Sequence, residues 1–135
     1  MSTKKLFLST IVAFILSNLL TTIWYMATDE ANMVSYRRAE MNYAGLMANH
    51  LLYAALMVYL FPYYYRTNPT LICGFVFGCL GAAMMFLPQA IVVRSIWEVD
   101  FNTVFVMNTL AHLVIGGIMG TAIALIFNYK NKQVA

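Results

Sequence analysis

From Asn108 to Phe127 the chain reads NTLAHLVIGGIMGTAIALIF, twenty residues without an Asp, Glu, Lys or Arg. A helix rises about 1.5 Å per residue, so such a run covers the roughly 30 Å of hydrocarbon in a bilayer. One stripe of it is unusual. Residues four apart share a helix face, and stepping by four gives Asn108, His112, Gly116, Gly120 and Ala124. Half of that stripe is polar and half has almost no side chain. In lipid, a polar half-stripe needs protein or water against it, and a small half-stripe lets another helix approach its backbone. This segment is therefore expected to be surrounded by others.

Three further apolar runs supply them. With the first they fall at about 6–27, 42–64, 71–93 and 103–127, each near the ~20 residues that a spanning helix needs. The chain is 62% hydrophobic and 10% charged, against roughly 25% charged in an average soluble domain. The fold class that follows is all-α, a transmembrane up-down four-helix bundle forming one membrane domain over residues 1–135. Lys4 and Lys5 before an apolar run also suit a cleavable signal peptide. The run is too long for that, however, and residues 21–25 offer no small-x-small cleavage site, so a retained first span is expected.

The charges set an orientation. Lys4, Lys5, Arg66, Lys130 and Lys132 fall on one side of a four-span arrangement, and Arg37, Arg38 and Arg94 fall on the other. Five basic residues against three put both termini in the cytoplasm by the positive-inside rule. The acidic residues Asp29, Glu30, Glu40, Glu98 and Asp100 all gather on the opposite side. A net charge of +3 distributed in this way anchors a topology at the lipid headgroups and offers no nucleic-acid surface.

Several local patterns describe how the spans meet. Ser9, Ala13, Ser17 and Thr21 make a four-step row on span one, a face for other helices rather than lipid. Trp24 and Tyr25 close that span at the depth of an aromatic belt. Thr28 followed by Asp29 and Glu30 reads as the start of an interfacial helix over 29–40. Asn68 and Pro69 read as a turn, with the proline at the first helical position of span three. Gly74, Gly78 and Ala82 match Ala124, Gly120 and Gly116 in depth, so spans three and four are expected to touch closely there. Pro88 should interrupt the hydrogen bonding of span three at the carbonyl of Met84. Cys73 and Cys79 lie six residues apart on different faces of span three. They form neither a CxxC pair nor a zinc framework and read as buried small apolar residues.

The candidate residues for chemistry form a layer. His50 lies about eight residues into span two and His112 about nine residues into span four, so both imidazoles fall at a similar depth. Asn18, Asn49, Asn108 and Gln89 fall in the same half. Three readings compete: hydrogen-bonded packing glue, a cavity for a small ligand, metal ion or proton, and bis-histidine ligation of haem b. For haem, Arg37, Arg38 and Arg94 stand where propionates would end, but no row of glycines flanks both histidines. A copper site would recruit Met47 and Met57 beside His50. Hydrolytic chemistry lacks support, because no serine lies four residues from either histidine and every carboxylate lies near the surface.

Through LICGFVFGCLGAAM, NTLAHLVIGGIMGTAIALIF and the WYM that closes span one, the chain resembles a family of small bacterial four-span membrane proteins defined only as a domain of unknown function. The resemblance implies a four-helix protein of the bacterial inner membrane, with His112 at the family's span-four histidine. It brings no activity, and His50, Arg37 and Arg38 have no counterpart in it. The expected role is non-enzymatic: binding a small ligand in the polar layer, or serving as an accessory subunit of a larger membrane complex or homo-oligomer. A haem or metal carrier using His50 and His112 is the alternative.

Overall fold

A computed structural model describes residues 3–28, 42–65, 70–96 and 103–128. They form four helices, α1 (Thr3–Ala27), α2 (Tyr43–Tyr64), α3 (Leu71–Ile96) and α4 (Thr103–Asn128). All four are long and apolar enough to cross a membrane. The expected interfacial helix at 29–40 lies outside the described residues, as do Arg37, Arg38 and Arg66.

The distribution of side chains on α1 is the reverse of a soluble amphipathic helix. Ser9, Ala13, Ser17 and Thr21 are its buried residues, while Phe7, Leu8, Ile15, Leu19 and Ile23 are all more than half exposed. Water would not tolerate such a surface, since soluble monomers rarely expose apolar patches beyond a few hundred Å². Hydrocarbon tolerates it without cost. The four-step row thus faces protein and the bulky residues face lipid, which makes this chain a multi-pass helical membrane protein.

Helix ends are closed by local bonds. Asn42 caps α2, its Oδ1 accepting from the Gly45 N–H at 3.0 Å. Thr70 caps α3, its Oγ1 accepting from the Cys73 N–H at 3.1 Å. The helix therefore starts on this threonine rather than on the preceding turn residues, as an N-cap hydroxyl satisfies one orphan donor. Thr28 lies at the end of α1, where its hydroxyl donates to the Trp24 carbonyl at 2.9 Å. Lys5 Nζ donates to the carbonyl of Phe127 at 2.7 Å, a cation at the negative end of α4. The start of α1 and the end of α4 therefore lie side by side.

The most extensive helix contact is between α3 and α4, and α1 packs against both α2 and α4. Glycines make the first of these possible. A methyl group placed on Gly74 would lie 2.6 Å from both Ala124 Cβ and the Gly120 carbonyl oxygen. One on Gly116 would lie 2.5 Å from Ala82 Cβ and from the Gly78 oxygen. The pairs run in opposite order along the two helices, so α3 and α4 are antiparallel with their backbones in contact. Both Pro62 and Pro88 sit inside helices that continue past them.

By contrast α2 touches α3 and α4 only lightly. It meets α3 where Met57 fills the space over Gly81 and where Phe61 packs edge-on against Phe77 at 5.2 Å. Phe61 also meets Phe127 at 5.3 Å, and with Val58, Met119 and Ile123 this forms the buried core at that end. Toward the other end nothing comparable joins α2 to α3 among the described residues, and a cavity separates them.

Candidate functional site

That cavity has a volume of about 340 Å³, within the range of small-molecule sites. Every helix contributes to its wall: Ser17, Thr21 and Tyr25 from α1, His50 and Tyr53 from α2, Met85, Phe86 and Gln89 from α3, and Asn108 and His112 from α4. These positions lie in the half of each helix away from the Lys5–Phe127 contact. Leu46, Met85 and Val93 both line the cavity and stand on the outer surface, so they mark its mouth between α2 and α3.

His112 is held on three sides. Its Nδ1 lies 2.7 Å from the carbonyl oxygen of Asn108, one turn back. A carbonyl only accepts, so Nδ1 carries the proton, and in the neutral ring Nε2 is then an acceptor. Phe86 stacks on the imidazole with centroids 4.2 Å apart and planes 17° apart, and Tyr25 meets it edge-on at 6.1 Å. Its Nε2 has no hydrogen-bond partner among the described residues.

His50 is buried on α2, and its Nδ1 lies 2.6 Å from the hydroxyl of Ser17 on α1. Among the described residues, only Ser9 Oγ and Tyr53 Oη are buried side-chain nitrogen or oxygen atoms without a hydrogen-bond partner. Neither Nε2 is therefore sealed in, and neither has a partner among the described residues. Both histidines line the cavity and use Nδ1 to fix the ring.

The other polar residues of the layer divide. Asn108 is buried and accepts from the indole N–H of Trp24 at 2.8 Å. Trp24 is thus turned inward on α4 rather than serving only as a belt residue, because its N–H finds a protein partner. Asn49 and Gln89 line the cavity from exposed positions at its mouth. Asn18 is not part of the wall: its side-chain amide donates to the Phe14 carbonyl of its own helix at 2.9 Å. Ser17, Thr21 and Tyr53 belong to the cavity, and their signal in the sequence was the small polar row on span one and the residues flanking His50.

The arrangement limits the chemistry. Ser17 and His50 form a nucleophile-and-base contact that separation along one helix does not reveal, because the serine comes from α1. A nucleophilic serine also needs a third group on the far nitrogen of the base and donors for an oxyanion. The backbone around Ser17 is engaged in helix and offers no such donors, and all five carboxylates of the chain lie outside the described residues. No group of three His, Cys, Asp or Glu is gathered among the described residues either. Of the two methionines considered for copper, Met57 is committed to packing over Gly81 and Met47 is exposed, whereas Met85 lines the cavity.

Together these features define a class: a small multi-pass helical membrane protein with a polar, histidine-bearing cavity between loosely joined helices. No protein-family model, no curated protein and no solved structure matches this chain, so any functional reading rests on its own residues.

Proposed function

We propose that this chain is a small non-enzymatic protein of the bacterial inner membrane, an up-down four-helix bundle with both termini in the cytoplasm, that binds a small ligand in the outward half of the bundle. The observation that carries this reading is the matched presentation of His50 and His112. Each ring is fixed through Nδ1, has no partner on Nε2 among the described residues, and lines one shared cavity. Orienting one nitrogen by a hydrogen bond while the other meets a ligand is the usual way proteins aim an imidazole.

Native mass spectrometry of the protein released from mild detergent tests the reading. The expected result is a small molecule retained by the wild type and lost from both His50→Ala and His112→Ala. A wild-type mass equal to that of the bare chain, under conditions that keep the fold, overturns it. The same spectrum decides whether the chain stands alone in lipid, pairs with a second copy, or belongs to a larger complex. Fixing Nδ1 and freeing Nε2 also suits axial ligation of haem b, and an absorbance scan for a Soret band separates that second reading from the first.

A further inference from the structure

The cavity's mouth and its interior ask for different things from an occupant. At the mouth, Leu46 is 41% exposed, Met85 39% and Val93 38%, and all three also line the cavity. His50 stands seven residues beyond the start of α2 at Tyr43, about 10 Å along the helix axis. An opening between two lipid-facing helices at that depth leads sideways into hydrocarbon. Whatever enters there carries an apolar body.

Inside, the site is selective for hydrogen-bond donors. His112 has spent its proton on the Asn108 carbonyl, so its Nε2 accepts and does not donate. A ligand that offers only acceptors would leave that nitrogen unpaired in an apolar setting, which is costly. A metal ion is a poor match for the space: among the described residues two imidazoles are the only strong nitrogen ligands in the wall, and about 340 Å³ holds a molecule. The His112 ring is locked between Phe86 and Tyr25, so it cannot readily turn to present its other edge.

We infer that the cavity takes a lipid-soluble hydroxyl compound, of the phenol or hydroquinone class, that enters from the bilayer between α2 and α3 and donates a hydrogen bond from its hydroxyl to Nε2 of His112. His50, held by Ser17, meets the same head group from the opposite helix. The exposed amides of Asn49 and Gln89 stand at the rim, where a second polar group of such a molecule would pass. This inference rests on the ligand-binding reading above and specifies the ligand's chemistry.

Three probes with one ring and one tail isolate the donor: an alkyl-substituted hydroquinone, the corresponding quinone and the corresponding dimethyl ether. Each is titrated anaerobically into the full-length protein in detergent, with binding read by calorimetry and by thermal shift. The hydroquinone should bind about tenfold or more tightly than either donor-free analogue, as one well-placed hydrogen bond to an otherwise unpaired group dictates. That preference should vanish in His112→Phe, which keeps a ring against Phe86 but removes the acceptor. His112→Gln, which keeps a polar acceptor in a similar volume, should retain part of it. Equal binding of all three probes, tighter binding of the quinone, or a preference that survives in His112→Phe overturns the inference. Stoichiometric binding of Cu(I) or Zn(II) abolished in both histidine variants, with no hydroquinone preference, overturns it in favour of a metal. In those cases a ligand seen by native mass spectrometry leaves the ligand-binding reading standing, whereas silence in both experiments removes both.

Discussion

The Nδ1 of His112 and the carbonyl oxygen of Asn108 are 2.7 Å apart on consecutive turns of α4. The bond fixes which nitrogen carries the proton, and it does so without any other helix. His50 takes a different route to a similar end, with Ser17 of α1 at 2.6 Å from its Nδ1. The two hydrogen bonds therefore depend unequally on the bundle: His112 makes its bond within its own helix, while His50 makes its bond only through the packing of α1 on α2.

Coupling between the histidines follows from the shared cavity. Residues in one network usually show interaction energies of about 0.5–3 kcal/mol, whereas independent sites add within about 0.5 kcal/mol. A double-mutant cycle of His50→Ala and His112→Ala, read by thermal stability in detergent, should be non-additive, and more so with ligand present than without. Losses that add in both conditions would assign the two residues to separate packing roles.

Glycine substitutions should separate backbone contact from side-chain contact. A methyl group on Gly78 meets the Gly116 carbonyl, whose carbon would lie at 2.6 Å, and neither helix backbone can yield without parting the pair. A methyl group on Gly81 meets only the sulfur and terminal methyl of Met57, the far end of a flexible side chain. Gly78→Ala and Gly120→Ala are each expected to cost about 1–3 kcal/mol, and Gly81→Ala clearly less. The measurement is resistance to unfolding in a series of denaturing detergent concentrations. An order in which Gly81→Ala is the most damaging would contradict the contact described between α3 and α4.

How much of this was legible in the sequence depends on which coordinate a residue's role needs. Depth along a span follows from counting at 1.5 Å per residue, so the helices and the half of the bundle that holds His50 and His112 can be read directly. The row Ser9, Ala13, Ser17 and Thr21 is also legible, because four-step periodicity reports a face whatever that face meets. Rotation of one helix against another is a different matter. Nothing in the string of residues says that Ser17 rather than Asn18 meets His50, or that the Trp24 indole turns to Asn108, since both depend on how α1 sits between α2 and α4. Asn18 was free to turn back on the Phe14 carbonyl, an option that every helical Asn has. The loose contact of α2 with α3, which creates the cavity, has no local signature.

Orientation in the membrane can be tested without reference to the interior. In a background with Cys73 and Cys79 changed to serine, single cysteines at Asn32 or Ser95 should react with an impermeant thiol reagent added to the outside of intact cells. A cysteine at Gln133 should react only after the membrane is opened. The reverse pattern would invert the bundle and place the cavity in the cytoplasmic half.

The last prediction compares two serines on one face of α1. Ser9 and Ser17 are both buried, at 0% and 2% exposure, and lie two four-step intervals apart. Their hydroxyls differ in one respect: Ser17 Oγ meets His50 Nδ1, whereas Ser9 Oγ has no hydrogen-bond partner among the described residues. Removing a hydroxyl without a partner relieves an uncompensated polar group, while removing one with a partner leaves the partner unpaired at a cost of about 1–3 kcal/mol. Ser9→Ala should therefore be neutral or stabilising, and Ser17→Ala destabilising, although the two changes remove the same atom from the same face. Tyr53→Phe belongs with Ser9→Ala, since its buried hydroxyl also has no hydrogen-bond partner among the described residues. Thermal unfolding of the three variants in one detergent checks the ordering. In a Ser17→Ala, His50→Ala cycle the losses should overlap rather than add, because either change breaks the same bond. Equal effects of Ser9→Ala and Ser17→Ala, with additive losses in the cycle, would remove Ser17 as the group that aims His50 into the cavity.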